Sequence, residues 1–144
     1  LGNVAVAMND PHAIAEALPE WFDVVAVDAP CSGEGMYRKN ELAIAEWSLQ
    51  NVAMCAVRQK EILENAEKCV ASGGYLLYST CTYSTEENEG MVETFLQQHP
   101  DFYLEKLTLP DIFPLNETGM IALVPGQYDT DGFFIARLRR KSCT

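Results

Sequence analysis

The chain is poor in positive charge. Its 144 residues include 10 lysines and arginines against 21 aspartates and glutamates, which gives a net charge of −11. Because contacts to phosphates need clustered cations, this balance argues against a stand-alone nucleic-acid-binding module. The basic groupings are confined to Arg38-Lys39 and to residues 137–141, so any RNA-binding surface within the chain is small.

The cysteine pattern lacks the features of a metal site or a disulfide framework. The number of cysteines is odd, and no two of them form a Cys-x-x-Cys pair. They are Cys31, Cys55, Cys69, Cys81 and Cys143. We therefore expect no bound metal and a reducing, cytoplasmic setting.

The sequence also lacks long hydrophobic runs. No stretch approaches the length of a membrane span, and the N-terminus has no basic segment followed by an apolar one. The length fits one domain, and a hydrophobic content of 48% is enough for a core. Because the chain begins at Leu1 rather than Met and enters an apolar run at once, we expect a piece of a longer protein.

Apolar runs alternate with stretches of helical periodicity, which predicts a layered α/β fold over residues 1–144. The predicted strands cover residues 3–8, 23–27, 75–79, 102–107, 120–124 and 132–138. The predicted helices are two short ones at 11–18 and 41–47, a long one after residue 48, and one between residues 84 and 99.

Local signals set the helix boundaries. Ser48 is a suitable N-cap for the long helix, and Gly73-Gly74 is expected to end it. Cys55 and Cys69 lie on the apolar stripe of that helix and are predicted to be core residues. Residues 84–87 (Ser-Thr-Glu-Glu) read as a capping box for the next helix, with its acidic residues facing solvent.

Two cysteines come directly after buried strands. Cys31 comes just after residues 24–28, and Cys81 just after residues 75–79. In open α/β sheets, ligands bind beyond the carboxyl ends of parallel strands. Two thiols at that edge suggest covalent chemistry, and a helix N-terminus after Cys81 would lower the pKa of its thiol.

One reaction that needs these groups is methylation of a pyrimidine at C5, which is a poor nucleophile. Adding a thiolate to C6 activates C5. The scheme requires a nucleophilic cysteine, a group near N3 and N4, and a base for the C5 proton. Cys81, Asp28, and Cys31 or a water supply these three types. The plainer interpretation is that the cysteines are small buried hydrophobes and that Asp28 caps a turn.

Several motifs together closely resemble the Sun-type (NOL/NOP/Sun) RNA cytosine-C5 methyltransferases, and most closely the bacterial RsmF-like 16S ribosomal RNA methyltransferases. They are residues 28–36 (Asp-Ala-Pro-Cys-Ser-Gly-Glu-Gly-Met), Arg38-Lys39, Trp47-Ser48, Arg58-Gln59, Gly73-Gly74, residues 79–82 (Ser-Thr-Cys-Thr) and residues 86–89 (Glu-Glu-Asn-Glu). Residues 111–114 (Asp-Ile-Phe-Pro) and 131–138 support the subgroup. The resemblance covers nearly the whole chain and implies a Rossmann-like class I fold, with a mostly parallel sheet and a late antiparallel strand.

The resemblance also implies catalytic roles. Cys81 matches the nucleophile that attacks cytosine C6, and Cys31 matches the cysteine that helps to release the methylated product. Asp28 matches a position between the cofactor and the target base. In DNA cytosine-C5 enzymes the Pro-Cys cysteine is the nucleophile, so the motifs alone leave the two roles exchangeable. The Ser-Thr-Cys motif and the missing Glu-Asn-Val signature favour the RNA class.

The resemblance implies binding roles in the same way. The implied cofactor is S-adenosyl-L-methionine, with Asp10 near its adenine end, Asp28 beside it, and Pro30 shaping the loop that holds the base. Arg38 and Lys39 match positions suited to contact the RNA backbone.

The family's glycine-rich cofactor loop and first two strands have no counterpart here. In the usual strand order, 3-2-1-4-5-7-6, this leaves an open edge at residues 23–27. We expect that edge either to pair with another copy or to take in the strand at 3–8, and we expect this chain to bind the cofactor weakly or not at all.

The function expected for the parent enzyme is methylation of cytosine C5 in ribosomal RNA, with the fragment inactive alone. Two alternatives stay open. One is a transfer RNA enzyme with the same chemistry, since substrate choice depends on regions not represented here. The other is a non-catalytic RNA-associated scaffold, in which Cys81 would alkylate no faster than Cys55 and Cys69.

Overall fold

A computed structural model describes residues 2–36, 41–108, 110 and 118–143. The expected alternation of helices and strands is present. In chain order the elements are α1 (Pro11–Ala17), β1 (Phe22–Asp28), a 3₁₀ helix (Glu34–Met36), α2 (Glu41–Glu46), α3 (Leu49–Cys69), β2 (Val70–Thr80), α4 (Glu89–Gln98), β3 (Phe102–Leu104), β4 (Ile121–Leu123) and β5 (Phe133–Arg140). Within these ranges, no helix has both the length and the apolar character needed to cross a membrane.

The strands form one mixed sheet in the order β1-β2-β5-β3, with β4 also paired to β5. β1 and β2 are parallel, whereas β5 is antiparallel to β2, β3 and β4. Four strands therefore run in one direction and β5 runs against them. This confirms the expected mostly parallel sheet with a late antiparallel strand.

The core lies between one face of the sheet and the helices α3 and α4. Alternate residues of β2 and β5 point into it, as the two-residue period of a strand requires. The fully buried side chains there include Leu76 and Tyr78 on β2 and Phe134 on β5, packed with Leu63 of α3 and Val92 of α4. This packing fixes β2 in the middle of the sheet and so fixes where its carboxyl end emerges.

The long helix begins as predicted but ends earlier. The Ser48 hydroxyl accepts a hydrogen bond from the Asn51 N–H at 3.0 Å. The expected stop at Gly73-Gly74 is wrong, because α3 ends at Cys69 and β2 starts at Val70. Both glycines lie inside β2, where the pairing with β1 shifts register. Gly73 has a φ of +75°, and a Cβ on Gly74 would lie 2.9 Å from the Asp23 carbonyl oxygen.

The strand predicted at residues 3–8 is also wrong. That segment has no regular structure, and Val6 and Met8 are almost fully exposed. A strand forms only where a neighbour satisfies its backbone hydrogen bonds, and β1 pairs with β2 alone among the described strands. The segment therefore has not moved onto the open edge of β1.

Candidate active site

The two predicted cysteines lie together at one edge of the sheet. β1 ends at Asp28 and β2 ends at Thr80, and the chain turns into a cysteine loop after each. Because the two strands are parallel neighbours, their carboxyl ends meet at the same edge. The Sγ atoms of Cys31 and Cys81 are 3.0 Å apart, as a hydrogen-bonded pair of free thiols.

Backbone contacts hold the two loops against each other. The Cys81 N–H points at Cys31 Sγ at 3.3 Å, and the Gly35 N–H donates to the Cys81 carbonyl at 2.8 Å. A Cβ on Gly35 would lie 2.5 Å from the Gly132 carbonyl oxygen and 2.7 Å from that of Cys81. Glycine at position 35 is therefore what permits this close approach.

The contact between the thiols makes them unequal. A hydrogen bond from Cys31 lowers the pKa of Cys81 to about 7, against the opposing effects of burial and of the Asp28 charge. The same hydrogen bond, together with burial, raises the pKa of Cys31. The pair thus gives up its first proton near neutral pH, and the charge rests on Cys81. The predicted cause was a helix N-terminus, but α4 begins only at Glu89.

The remaining predicted site residues make hydrogen bonds with other parts of the chain. Asp28 is exposed, and its Oδ1 accepts from the Ser79 hydroxyl at 3.4 Å. The Pro30 carbonyl accepts from the Gln59 side-chain amide at 2.9 Å. Asp10 caps α1, with Oδ1 accepting from the His12 N–H at 2.7 Å.

A groove of about 280 Å³ runs beside Asp28 and reaches Pro11, the residue after Asp10. It is mostly apolar, and its walls come from α1, β1 and α3. The lining residues are Pro11, Ile14, Val25, Ala26, Val27, Asp28, Ile62, Ala66 and Cys69. A flat apolar ligand with hydroxyl or amino groups at its ends would find both a surface and acceptors here.

Several of the other predicted positions lie either outside the described residues or on α3. Arg38, Lys39 and residues 111–114 lie outside the described residues. Cys69 is buried in the core as predicted, and Cys55 is half-buried. The described part of the chain holds no cluster of three histidine, cysteine or acidic side chains that could bind a metal ion.

Sequence reasoning missed the most buried polar residue of the site, Glu87. The predicted capping box is wrong, because residues 85–88 form turns before α4. The side chain of Glu87 points inward and is 0% exposed. Its Oε1 accepts from the Ser32 N–H at 2.9 Å and from the Gln59 amide at 2.8 Å, and its Oε2 accepts from the Ser32 hydroxyl at 2.6 Å. Glu87 stands among other acidic residues in a polar stretch, so no local pattern singles it out.

A mixed sheet in this strand order, flanked by helices, corresponds to a truncated Rossmann-like class I methyltransferase fold. The comparisons define the family more closely. The family model described as 16S rRNA methyltransferase RsmB/F matches residues 1–139, and the chain belongs to that family.

Relatives and solved structures agree with this assignment. The chain is 42% identical over 145 residues to "Ribosomal RNA small subunit methyltransferase F" of Escherichia coli O157:H7, covering 97% of this chain and 30% of that protein. The crystal structure of NSun6 from Pyrococcus horikoshii with SFG has a TM-score of 0.79 and 28% identity, covering 98% of this chain and 35% of that one. A methyltransferase homolog protein from the same organism has a TM-score of 0.71 and 27% identity, covering 90% and 42%. The chain thus spans about 30% of the length of the curated relatives it matches.

Proposed function

We propose that this chain supplies the catalytic centre for S-adenosylmethionine-dependent methylation of cytosine C5 in ribosomal RNA. The observation that carries the proposal is the contact of the Cys31 and Cys81 Sγ atoms at 3.0 Å. One thiol of such a pair is ionised near neutral pH while the other keeps its proton. A reaction that needs both a nucleophile and a proton-handling group finds them in one contact.

In this proposal the Cys81 thiolate forms a bond to cytosine C6. The ring electrons shift to C5, which then takes the methyl group. S-adenosylmethionine supplies that methyl group when bound. The sulfur of Cys81 is no longer an anion in the adduct, so the main cause of the raised pKa of Cys31 is gone. The Cys31 thiol can then ionise and remove the C5 proton, after which the bond between C6 and Cys81 breaks and the double bond returns.

The neighbouring residues fit supporting roles. Asp28 is exposed beside the pair, so its carboxylate can accept a hydrogen bond from the exocyclic amine of a cytosine. The groove beside Asp28, with Asp10 next to its Pro11 end, would hold the methyl donor, with acidic oxygens for hydroxyl or amino groups and apolar walls for a flat base. The crystal structure of the relative NSun6 contains SFG, an analogue of S-adenosylmethionine, which supports this choice of donor.

The RNA has to present a single base. The thiol and the methyl donor must both reach the ring, which requires the cytosine to leave its stack. With a net charge of −11, the chain offers little general attraction for phosphates. Arg38 and Lys39 are the local cations we propose for the RNA backbone. With a ribosomal RNA substrate, the enzyme would act in the cytoplasm.

A trapping experiment on the full-length protein tests the cysteine roles. Each variant is incubated with a ribosomal RNA transcript and S-adenosylmethionine, and the products are resolved under denaturing conditions. Cys31→Ala is expected to accumulate a covalent protein–RNA complex, because the adduct forms but is not released. Cys81→Ala and the double variant are expected to form none. Cys143→Ala is the matched control, because Cys143 is exposed and lies in neither cysteine loop, and it should behave like the wild type.

The opposite result would reverse the assignment. A complex formed by Cys81→Ala and absent from Cys31→Ala would make Cys31 the nucleophile. Absence of methylation and of complexes with every variant would favour a non-catalytic scaffold.

We also propose that the open edge of β1 pairs with a second copy of this chain. Trp21 and Val24 are exposed there, at 70% and 53%, and the edge has no partner among the described strands. Sedimentation velocity should then show a dimer that Val24→Lys dissociates. A concentration-independent monomer would contradict this.

A further inference from the structure

Glu87 occupies a position that stability alone does not explain. A buried carboxylate is unfavourable unless its charge is compensated. Within the described residues, the partners of its two oxygens are a backbone N–H, an amide and the hydroxyls of Ser32 and Thr82, all of them uncharged. Four converging donors match the acceptor-only valence of an ionised carboxyl group. Among the described residues, this buried carboxylate thus has no cation to pair with it.

The residues that Glu87 connects suggest its role. Ser32 comes directly after Cys31, and Thr82 directly after Cys81. Their hydroxyl oxygens lie 2.8 Å apart, and the Ser32 hydroxyl donates in turn to Glu87 at 2.6 Å. Both hydroxyls in this chain of hydrogen bonds are therefore one residue away from a thiol.

The same carboxylate fastens the arrangement to the core. Gln59 of α3 donates to both Glu87 and the Pro30 carbonyl, at 2.8 and 2.9 Å. The Tyr78 hydroxyl donates to the Glu87 carbonyl at 2.5 Å. Both Gln59 and Tyr78 are fully buried. Glu87 therefore joins the loop after β1, the loop after β2 and the helix beneath them.

We infer that Glu87 is the positioning residue of the thiol pair. Its carboxylate fixes the Cys31 loop onto the Cys81 loop and so keeps the two Sγ atoms in contact. This inference rests on the proposed function only for its consequence in methyl transfer, because the geometry of the pair is independent of any substrate.

A positioning role and a simple charge effect predict opposite results. The negative charge of Glu87 acting through space raises the pKa of Cys81, whereas the contact with Cys31 lowers it and is the larger effect. Removing the carboxylate without moving the loops would therefore lower the pKa of Cys81. Removing it and releasing the loops would raise that pKa.

The test is the pH profile of Cys81 alkylation in Glu87→Gln, followed with iodoacetamide and peptide mass spectrometry. Glutamine keeps the size of the side chain but turns an NH₂ toward donors. The midpoint is expected to rise from about 7 by at least one pH unit, toward the ordinary thiol value of 9.0. A midpoint that falls below that of the wild type, or does not move, overturns the inference.

The matched control is Glu86→Gln. Glu86 is the exposed neighbour and contacts Ser84 and Thr85 rather than the cysteine loops. The Glu86→Gln variant removes the same charge from the same turn, and the midpoint of Cys81 alkylation in this variant should equal that of the wild type. An equal rise in both variants would show that any change in this turn disturbs the thiol pair, and it would also overturn the inference.

Ser32→Ala keeps the test decisive if Glu87→Gln does not fold. It removes the hydroxyl link and leaves the carboxylate in place, so the midpoint should rise by a smaller amount. An unchanged midpoint in a folded Ser32→Ala protein would count against positioning.

Since alkylation needs neither RNA nor methyl donor, a wild type that fails to methylate RNA would defeat the proposed function and leave this result standing. An active wild type with an unmoved Glu87→Gln profile would defeat the inference alone.

Discussion

Cys31→Ala tests the electrostatic basis of the site most directly. The variant removes the hydrogen bond that is the main cause of the lowered pKa of Cys81. Burial and the Asp28 charge remain, and both raise that pKa. We therefore expect the pKa of Cys81 to rise from about 7 to its ordinary value of 9.0 or above.

The expected change in rate combines two opposing effects. At pH 7 the thiolate fraction falls from about one half to ~1%, a loss of about 50-fold. A more basic thiolate is intrinsically more nucleophilic, which increases the rate per thiolate by about 6- to 10-fold for a rise of two pKa units. The net result at pH 7 is alkylation about 5- to 8-fold slower than in the wild type. The order reverses above about pH 8, where the 6- to 10-fold greater nucleophilicity of the variant thiolate outweighs its smaller ionised fraction.

The assay measures the rate of iodoacetamide labelling of Cys81 from pH 5.5 to about 10.5, with a free cysteine peptide in the same tube as reference. The crossing of the two profiles is the decisive feature. A variant that only exposes or covers Cys81 would change the rate by a similar factor at every pH. Parallel profiles, or a wild-type Cys81 whose profile coincides with that of the free peptide, would refute the reasoning.

Two further substitutions test the surroundings of the pair. Gly35→Ala introduces a Cβ 2.5 Å from the Gly132 carbonyl oxygen, so the loop must move. We expect urea denaturation to show a loss of about 1–3 kcal/mol and Cys81 alkylation to shift to higher pH, whereas Gly2→Ala, which has no atom within 4 Å, should change neither. Tyr78→Phe leaves the Glu87 carbonyl without its donor, at a cost of about 1–3 kcal/mol. Burial raises the pKa of Tyr78, so its phenol is favoured in the folded state only while neutral. The stability advantage of wild type over Tyr78→Phe should hold below pH 10, the ordinary tyrosine value, and shrink above it; an advantage constant to pH 11 would contradict this.

Local rules predicted those parts of the fold that depend on neighbours in sequence. The Ser48 cap is one such case, because a hydroxyl and an N–H three residues apart meet whenever a helix begins there. The meeting of Cys31 and Cys81, 50 residues apart, follows instead from a rule of sheet topology. Two strands joined by a long helix run parallel, so the loops after both strands reach the same edge.

The errors have the opposite character. Residues 3–8 have the composition of a strand, but a strand depends on a partner that the segment itself cannot specify. Gly73-Gly74 has the composition of a helix stop. These glycines lie inside β2 instead, where the Asp23 carbonyl, which is distant in sequence, approaches Gly74 too closely for a Cβ. The sequence suggests that Glu87 faces solvent, because the partners that bury it, Ser32 and Gln59, are also far from it along the chain. Each error concerns a contact that only the assembled sheet creates.

The two cysteines themselves show how the structure adds to a motif. In sequence they are nearly equivalent, since each comes after a strand and precedes a hydroxyl residue, and that equivalence leaves the roles of nucleophile and helper exchangeable. The contact between the two thiols removes this equivalence. Burial and the shared hydrogen bond raise the pKa of Cys31, whereas the same hydrogen bond lowers that of Cys81 to about 7. Because a thiolate attacks and a thiol does not, this asymmetry supports Cys81 as the nucleophile and leaves Cys31 holding the proton until the adduct has formed.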